Sequence, residues 1–176
     1  MLVGMPLLRV AGQDDVEQLA AVFLDCWRIS YAPVMPAALV DRMTARQALV
    51  MWAEAVRRPR QTTLAATDEE PPHAVLGFVG FRSLEDGTGY VSSLYASPRR
   101  QGGGVGRLLL AEAEKELRES GARTARLWVF EDNKPSRAFY AGQGWRPDGR
   151  RETLPEWGQP QVGMTKILAG DAVAGR

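Results

Sequence analysis

The chain has 176 residues, of which 45% are hydrophobic and 24% charged, proportions typical of a soluble globular domain. The formal net charge is +1, so charge gives no reason to expect nucleic acid or an anionic membrane as the partner. Cys26 is the only cysteine and His73 the only histidine, which excludes an internal disulfide and leaves no set of residues for a Cys- or His-based metal site.

The ends of the sequence carry no targeting pattern. Residues 1–12 lack a basic segment followed by a full apolar core, and no run of 18 apolar residues predicts a membrane span. We therefore expect a cytoplasmic protein that does not bind membranes. The length predicts one domain, over residues 1–168, followed by a flexible tail over residues 169–176.

The first part of the chain predicts a strand and then helices. A strand over Leu7–Ala11 is followed by apolar residues at helical spacing, namely Val16, Leu19, Ala20, Phe23, Cys26 and Trp27. The prolines between Ser30 and Pro36 break this helix. A second helical stretch, in one or two pieces, covers Ala37–Arg57, with Thr44 as a candidate cap.

Three predicted strands come next, over Thr62–Thr67, Val75–Arg82 and Tyr90–Ala96. Short polar turns join them, which predicts an antiparallel meander. The last of the three leads into a glycine-rich turn.

That turn is Gln101-Gly102-Gly103-Gly104-Val105-Gly106, and a long helix follows it. Glycines let the backbone approach a ligand closely, and the start of a helix offers unpaired N–H groups, so the segment predicts a phosphate or pyrophosphate site. Arg107 and Leu108 do not match a P-loop, and Leu109 replaces the third glycine of a dinucleotide fingerprint. A purely structural turn is the alternative.

The rest of the chain is predicted to continue with alternating helices and strands. The long helix carries an apolar stripe and an outer charged face with Glu112, Glu114, Lys115, Glu116 and Arg118. Arg123–Glu131 is a strand, expected to pair in parallel after a right-handed crossover. A short helix containing Pro135 ends near Gly142, a strand begins at Trp145, Arg150–Gln161 is a loop or irregular hairpin, and Val162–Leu168 is the last strand.

Several motifs together resemble the GCN5-related N-acetyltransferase family. The pattern Gln101-x-x-Gly104-x-Gly106 resembles the acetyl-coenzyme A signature of that family. Trp128–Asn133 is similar to its next strand, and Ala138-Phe139-Tyr140 followed by Gly144-Trp145 is similar to its final motif, with Trp at the usual Phe. The similarity covers about 55 residues.

The resemblance implies a fold and an activity. The fold is α/β, of the α+β kind, with a mixed, mostly antiparallel central sheet of about six or seven strands flanked by about four helices. The activity is transfer of an acetyl group from acetyl-coenzyme A to a primary amine by direct attack. The acceptor is a small-molecule amine or a peptide N-terminus, and a homodimer is expected. A non-catalytic acyl-coenzyme A binding domain and a nucleotide-binding module are the alternatives.

The resemblance also assigns residues. Tyr140 is the expected acid that protonates the leaving thiolate. Expected cofactor contacts are Leu94, Tyr95 and Ala96 along the strand, Gln101, Gly102, Gly103, Gly104, Val105, Gly106 and Arg107 in the turn, and Asn133 and Ser136 beyond it. The last two are alternatively helix caps. Arg99 and Arg100 are further candidates for the outer phosphates.

The sequence indicates fewer residues for the site of the acceptor amine than for the cofactor site. Trp27, Tyr31 and Trp157 are the expected substrate-binding residues, and their aromatic character suggests a partly apolar acceptor. The predicted strand before the turn has no acidic residue. The general base is therefore open among Glu85, Asp86, Glu131, Asp132 and Glu152, or a chain of water molecules.

Overall fold

The computed structural model describes residues 5–69, 73–100 and 103–168. Within these ranges the strands are β1 (Leu7–Val10), β2 (Thr62–Thr67), β3 (Val75–Ser83), β4 (Gly89–Ala96), β5 (Thr124–Phe130), β6 (Arg146–Thr153) and β7 (Pro160–Ile167). The α-helices are α1 (Val16–Asp25), α2 (Ala37–Arg42), α3 (Ala45–Ala55), α4 (Val105–Glu119) and α5 (Lys134–Gly142). Residues 169–176, the predicted tail, lie outside the described residues.

The strands form one seven-stranded sheet in the order β1-β2-β3-β4-β5-β7-β6. Neighbouring strands are antiparallel except β4 and β5, which are parallel. The predicted mixed, mostly antiparallel sheet is thus confirmed. The described residues hold five α-helices instead of about four, because the second helical stretch divides in two. Thr44 begins α3, where its Oγ1 accepts from the N–H of Gln47 at 3.2 Å.

The helices cover both faces of the sheet. On one face, α4 and α5 bury an apolar cluster that includes Leu109, Leu110, Leu117, Leu127 and Trp145. On the other face, α1 to α3 bury a second cluster that includes Phe23, Trp27, Trp52 and Phe78. Aromatic and aliphatic burial of this kind is the main stabilising contribution to a domain of this size.

One sequence-based expectation needs correction, and one alternative left open by the sequence is decided. Glu114, predicted on the charged outer face of the long helix, is only 13% exposed and accepts from Trp145 Nε1 at 2.8 Å. Lys166 also donates to it. The stretch Arg150–Gln161, predicted as a loop or irregular hairpin, is a hairpin, because β6 continues to Thr153 and pairs with β7 from Pro160. Helical periodicity missed the position of Glu114, since its polar partners Trp145 and Lys166 lie far away in the sequence.

The parallel pair at the centre of the sheet is short. β4 and β5 are paired only at Gly89–Ala125 and Tyr90–Arg126, although both strands continue beyond that point. Ser92 is an extra residue on β4, because Gly80 lies opposite Ser93 while Phe81 lies opposite Val91. Such a bulge bends the strand that carries it. The result is an opening in the sheet between β4 and β5.

The sheet and α4 pack closely against each other at Gly77. A Cβ atom built there would lie 2.7 Å from the Tyr95 carbonyl oxygen, 2.9 Å from Val105 Cγ1 and 3.1 Å from Ala96 Cα. Because two of these atoms belong to the backbone of β4, they cannot move aside cheaply. Glycine at this position therefore lets the start of α4 lie against the end of β4.

We predict that Gly77→Ala lowers the free energy of unfolding by about 1–3 kcal/mol, the usual cost of overpacking a well-packed core. Gly12→Ala is the matched control, since a Cβ there has nothing within 4 Å. Urea denaturation of both variants is the measurement. Equal stability of the two variants would contradict the close approach at Gly77.

Candidate active site

The opening between β4 and β5 forms a cleft of about 320 Å³. It is lined by residues from both strands, from the end of α1, from α5 and from the β6–β7 hairpin. Those predicted from sequence are Trp27, Tyr31, Leu94, Tyr95, Ser136, Tyr140, Glu152 and Trp157. Those not predicted as site residues include Tyr90, Ser93, Trp128, Phe130 and Gln161.

Side chains from opposite faces of the sheet meet in this cleft. Tyr140 packs with the α4 and α5 cluster, against Phe139 and Trp145 at ring-centroid distances of 5.4 Å and 6.1 Å. Tyr31 packs with the cluster of the other face, 6.4 Å from Tyr95 between ring centroids. Where strands are paired, the sheet separates such groups. Here Tyr31 is close enough to Tyr140 to raise the pKa of the Tyr140 phenol.

The phenols of Tyr31, Tyr95 and Tyr140 are all held in their neutral form. Burial, and to a smaller extent the nearby Cys26, raise the pKa of Tyr31 to about 12, while hydrogen bonding with Tyr95 opposes the shift. Burial and then Tyr31 raise the pKa of Tyr140 above its ordinary value, and the same two causes raise that of Tyr95. A buried phenolate lacks hydration, so all three remain proton donors at neutral pH.

The aromatic wall of the cleft begins where α1 ends. Cys26–Tyr31 forms a wider, π-helical turn, a feature that is frequent at functional sites. Trp27 donates from Nε1 to the Val40 carbonyl at 3.2 Å and stacks on Tyr31 at 5.2 Å and 26°. Trp157 lies 5.5 Å from Trp27. Trp27 is therefore a buried support for the two aromatic residues beside it.

Cys26 lies at the inner end of this wall but is not arranged as a nucleophile. It is buried, it donates from Sγ to the Ala96 carbonyl at 3.2 Å, and burial raises its pKa to about 12. Thiolate is the nucleophilic form of cysteine, so this thiol is unreactive at neutral pH. This agrees with the interpretation of Cys26 as part of the apolar stripe.

The glycine-rich turn leads directly into α4. Gly104 caps the helix with a left-handed backbone, φ 71°, and its carbonyl accepts from the N–H of Leu108 at 2.9 Å. Gly103, Gly104 and Arg107 are exposed, whereas Val105 is buried. The backbone N–H groups at the start of α4 are therefore open to an anion. Gln101 and Gly102 lie outside the described residues.

One predicted phosphate ligand already has a partner. Arg99 forms an ion pair with Asp25, with nitrogen–oxygen distances of 2.8 Å and 3.1 Å, and both groups are at the surface. An exposed pair of this kind contributes little to stability, so a phosphate could compete for Arg99.

The edge of β4 that faces the cleft offers unpaired backbone groups. The N–H of Ser97 donates to the Leu76 carbonyl of β3. Because every second residue of an antiparallel strand bonds to the same neighbour, the N–H and carbonyl of Tyr95 also point toward β3, where Phe78 lies opposite. Those of Leu94 and Ala96 point toward β5. The Ala96 carbonyl accepts from Cys26, and the others have no strand partner among the described residues. Tyr95 contributes its ring instead.

Asn133 and Ser136 occupy the start of α5. Asn133 is buried, and its Oδ1 accepts from the N–H of Ser136 at 3.1 Å, which confirms the capping alternative for Asn133. Ser136 lines the cleft with Tyr140, one turn further along the helix. Ser93 lines it from β4, and its buried hydroxyl has no hydrogen-bond partner among the described residues.

Among the five candidate bases, Glu152 is the one that lines the cleft. Asp86 lies near Arg126 at 3.4 Å, Glu131 is paired with Arg151 at 2.7 Å, and Asp132 is exposed. Glu85 lines a separate cavity of about 400 Å³ beside Arg60 and Arg82, which contains none of the predicted site residues apart from Glu85 itself.

Sequence reasoning missed Gln161, Phe130 and Tyr90 as site residues. Their chemistry gives no signal alone, and they become neighbours only because β4, β5 and β7 are adjacent in the sheet. Within the described residues, no group of three or more His, Cys, Asp or Glu side chains is placed to hold a metal ion. In the same ranges, no helix has both the length and the apolar character needed to cross a bilayer.

Comparison with known proteins gives one family. Residues 17–145 match the model of the acetyltransferase (GNAT) family. The uncharacterized N-acetyltransferase YuaI of Bacillus subtilis (strain 168) is 30% identical over 148 residues, which are 82% of this chain and 81% of that protein.

Two solved structures share the fold. The PaiA N-acetyltransferase of Thermoplasma acidophilum, determined in complex with coenzyme A, has a TM-score of 0.72 and 20% identity, over 93% of this chain and 99% of its own. The ribosomal-protein-alanine N-acetyltransferase of Brucella melitensis has a TM-score of 0.65 and 24% identity, over 92% and 99%. From the family match and the curated relative, we conclude that the chain belongs to the acetyltransferase (GNAT) family and is an N-acetyltransferase that uses acetyl-coenzyme A.

Proposed function

We propose that the cleft between β4 and β5 is where this enzyme binds acetyl-coenzyme A and transfers its acetyl group to a primary amine. The observation that carries the proposal is the short pairing of β4 and β5, which end their contact at Tyr90 and leave an opening that Tyr140 lines. The neighbour of this fold crystallised with coenzyme A supports the same cofactor.

The residues of the cleft fit the parts of this cofactor. The N–H groups at the start of α4 and the turn around Gly104 suit the pyrophosphate. The unpaired groups of Leu94 and Ala96 suit the amide groups of the pantetheine arm, which would bind like an added strand. The orphan hydroxyl of Ser93 offers a further polar contact. Arg107 and Arg99 lie near the turn for the outer phosphates.

The bound thioester would supply an activated acyl group, and the chain would supply its environment. A backbone N–H of Leu94 or Ala96 is the proposed donor to the thioester oxygen, where negative charge develops. The Tyr140 hydroxyl is the proposed acid for the departing sulfur. Burial makes a phenol a weaker acid than in water, but the same burial raises the pKa of a thiol leaving within the cleft. The proton transfer therefore remains feasible.

The acceptor is proposed to be a small-molecule amine or a peptide N-terminus that enters between Tyr31 and Trp157. The aromatic wall supports an acceptor with apolar surface next to its amine. The family and the curated relative favour catalytic transfer over the non-catalytic alternative. Location in the cytoplasm, a homodimer and a single domain over residues 1–168 stay predictions.

We predict that Gly106→Glu weakens acetyl-coenzyme A binding by about tenfold or more, because it places a carboxylate where the pyrophosphate would lie. A Cβ at this position has ordinary contacts, 3.7 Å from Phe139 Cζ and 3.9 Å from Ala96 Cβ. Glutamate in the first turn also favours the helix, so the variant should fold. Calorimetric titration is the measurement.

Gly106→Gln is the matched control, since it adds nearly the same volume without charge, and Gly106→Ala tests the space for a Cβ alone. Gly104 is less suitable, because its left-handed backbone would strain any replacement. If the Glu and Gln variants bind acetyl-coenzyme A equally well, the pyrophosphate does not lie at the start of α4.

We predict that Tyr140→Phe lowers kcat by about 10²-fold or more while leaving acetyl-coenzyme A affinity within a few-fold of wild type. Because the folded-state pKa of Tyr140 is raised, the phenol stays protonated as the pH rises, and kcat should show no decline from its ionisation up to about pH 10. Steady-state rates over this pH range are the measurement. If kcat is unchanged while the chemical step limits the rate, Tyr140 is not the acid.

A further inference from the structure

Glu152 occupies a distinctive place in the cleft. It lies on β6 directly opposite Gln161 of β7, and Gln161 lies opposite Phe130 of β5. Residues paired across strands project from the same face of a sheet, so these three side chains form a row on the face that carries Tyr31. Gln161 is buried and donates from Nε2 to Glu152 Oε1 at 3.0 Å. The carboxylate is thus held at the edge of the cleft.

The charges around Glu152 leave it without a cationic partner. Arg150 is paired with Asp148 and lies over the Trp128 ring at 4.6 Å. Arg151 is paired with Glu131. Among the described residues, no lysine or arginine forms an ion pair with Glu152 itself. A carboxylate that lines a cleft without a counter-ion favours a cation as its ligand.

The aromatic residues beside Glu152 favour the same kind of ligand. Phe130 lies 6.2 Å from Tyr31 and 6.1 Å from Trp157, both in edge-to-face geometry. Aromatic faces accept both apolar surface and cations. A carboxylate next to such a wall matches a primary ammonium attached to an apolar or aromatic body.

We propose that Glu152 binds the ammonium group of the acceptor and takes one of its protons, and that the acceptor is an amine on an apolar or aromatic body. The proposal rests on the proposed function of the cleft. It makes Glu152 the general base and Gln161 the residue that positions it.

The protons and bonds balance. One proton of the ammonium passes to Glu152, which leaves a neutral amine. As the nitrogen bonds to the acetyl carbon, the carbon–sulfur bond breaks and the sulfur takes the proton of Tyr140. The nitrogen then loses a second proton, which restores Tyr140, and keeps the third in the amide. Overall one proton is released, from Glu152 to solvent.

The test compares three probes of similar size with different charge. They are 2-phenylethylamine, a cation at neutral pH; O-benzylhydroxylamine, whose amine is uncharged there; and 3-phenylpropionate, an anion. Titration of the coenzyme A-loaded protein measures binding, and acetylation of the first two amines measures kcat/KM. We expect wild-type protein to bind 2-phenylethylamine about tenfold or more tightly than 3-phenylpropionate.

Glu152→Gln removes the charge while keeping an oxygen that can accept from Gln161. We expect this variant to lose the preference for the cation and to lower kcat/KM for 2-phenylethylamine by about 10²-fold or more. The loss for O-benzylhydroxylamine should be much smaller, because that amine needs no initial deprotonation. Glu156→Gln, an exposed residue of the same hairpin, is the matched control and should behave as wild type.

Three outcomes would overturn the inference: equal losses for both amines in Glu152→Gln, a similar loss in Glu156→Gln, or wild-type protein that neither binds nor acetylates 2-phenylethylamine. Acetyl-coenzyme A affinity is measured first in each protein. If wild-type protein does not bind acetyl-coenzyme A, the proposed function itself is contradicted. If it binds acetyl-coenzyme A normally and one of the three outcomes is found, only the role of Glu152 is contradicted.

Discussion

The separation of β4 from β5 after Tyr90 is the constraint on which the site depends. A continuous parallel pair would keep the cluster around α4 and α5 apart from the cluster around α1 to α3. Because the pair ends early, the Tyr140 hydroxyl and the aromatic residues of the opposite face line one cleft. The extra residue at Ser92 bends β4 at the same place. Backbone groups that would have paired with β5 are thereby left for a ligand.

Burial and charge divide the cleft into two chemical regions. On the side of Tyr140, burial keeps its phenol neutral and able to donate a proton. On the side of β6, Glu152 is a carboxylate without a counter-ion among the described residues. A donor for the leaving group and an acceptor for the amine proton thus lie on different walls of one cleft. This separation is what a direct transfer between two bound substrates requires, because the two proton transfers occur on different atoms.

Much of the fold and part of the site could be predicted from the sequence because their signals are local. The glycine-rich turn, the cap at Thr44 and the strand–helix–strand order each depend on residues close together in the chain. Glu152 could not be placed in this way. Prolines, glycines and charges around it left a loop and an irregular hairpin both open, and only the pairing with Gln161 makes it part of a strand. Glu114 was misplaced for a similar reason, because its partners Trp145 and Lys166 are 31 and 52 residues away.

The most direct test of this account is a crystal structure of the protein with coenzyme A. The account predicts a pyrophosphate at the start of α4 and an arm between β4 and β5 that bonds to the backbone of Leu94 and Ala96. It also predicts a sulfur within hydrogen-bond distance of the Tyr140 hydroxyl. Coenzyme A bound elsewhere, for example in the cavity beside Arg60 and Arg82, or with its sulfur remote from Tyr140, would contradict the central claim.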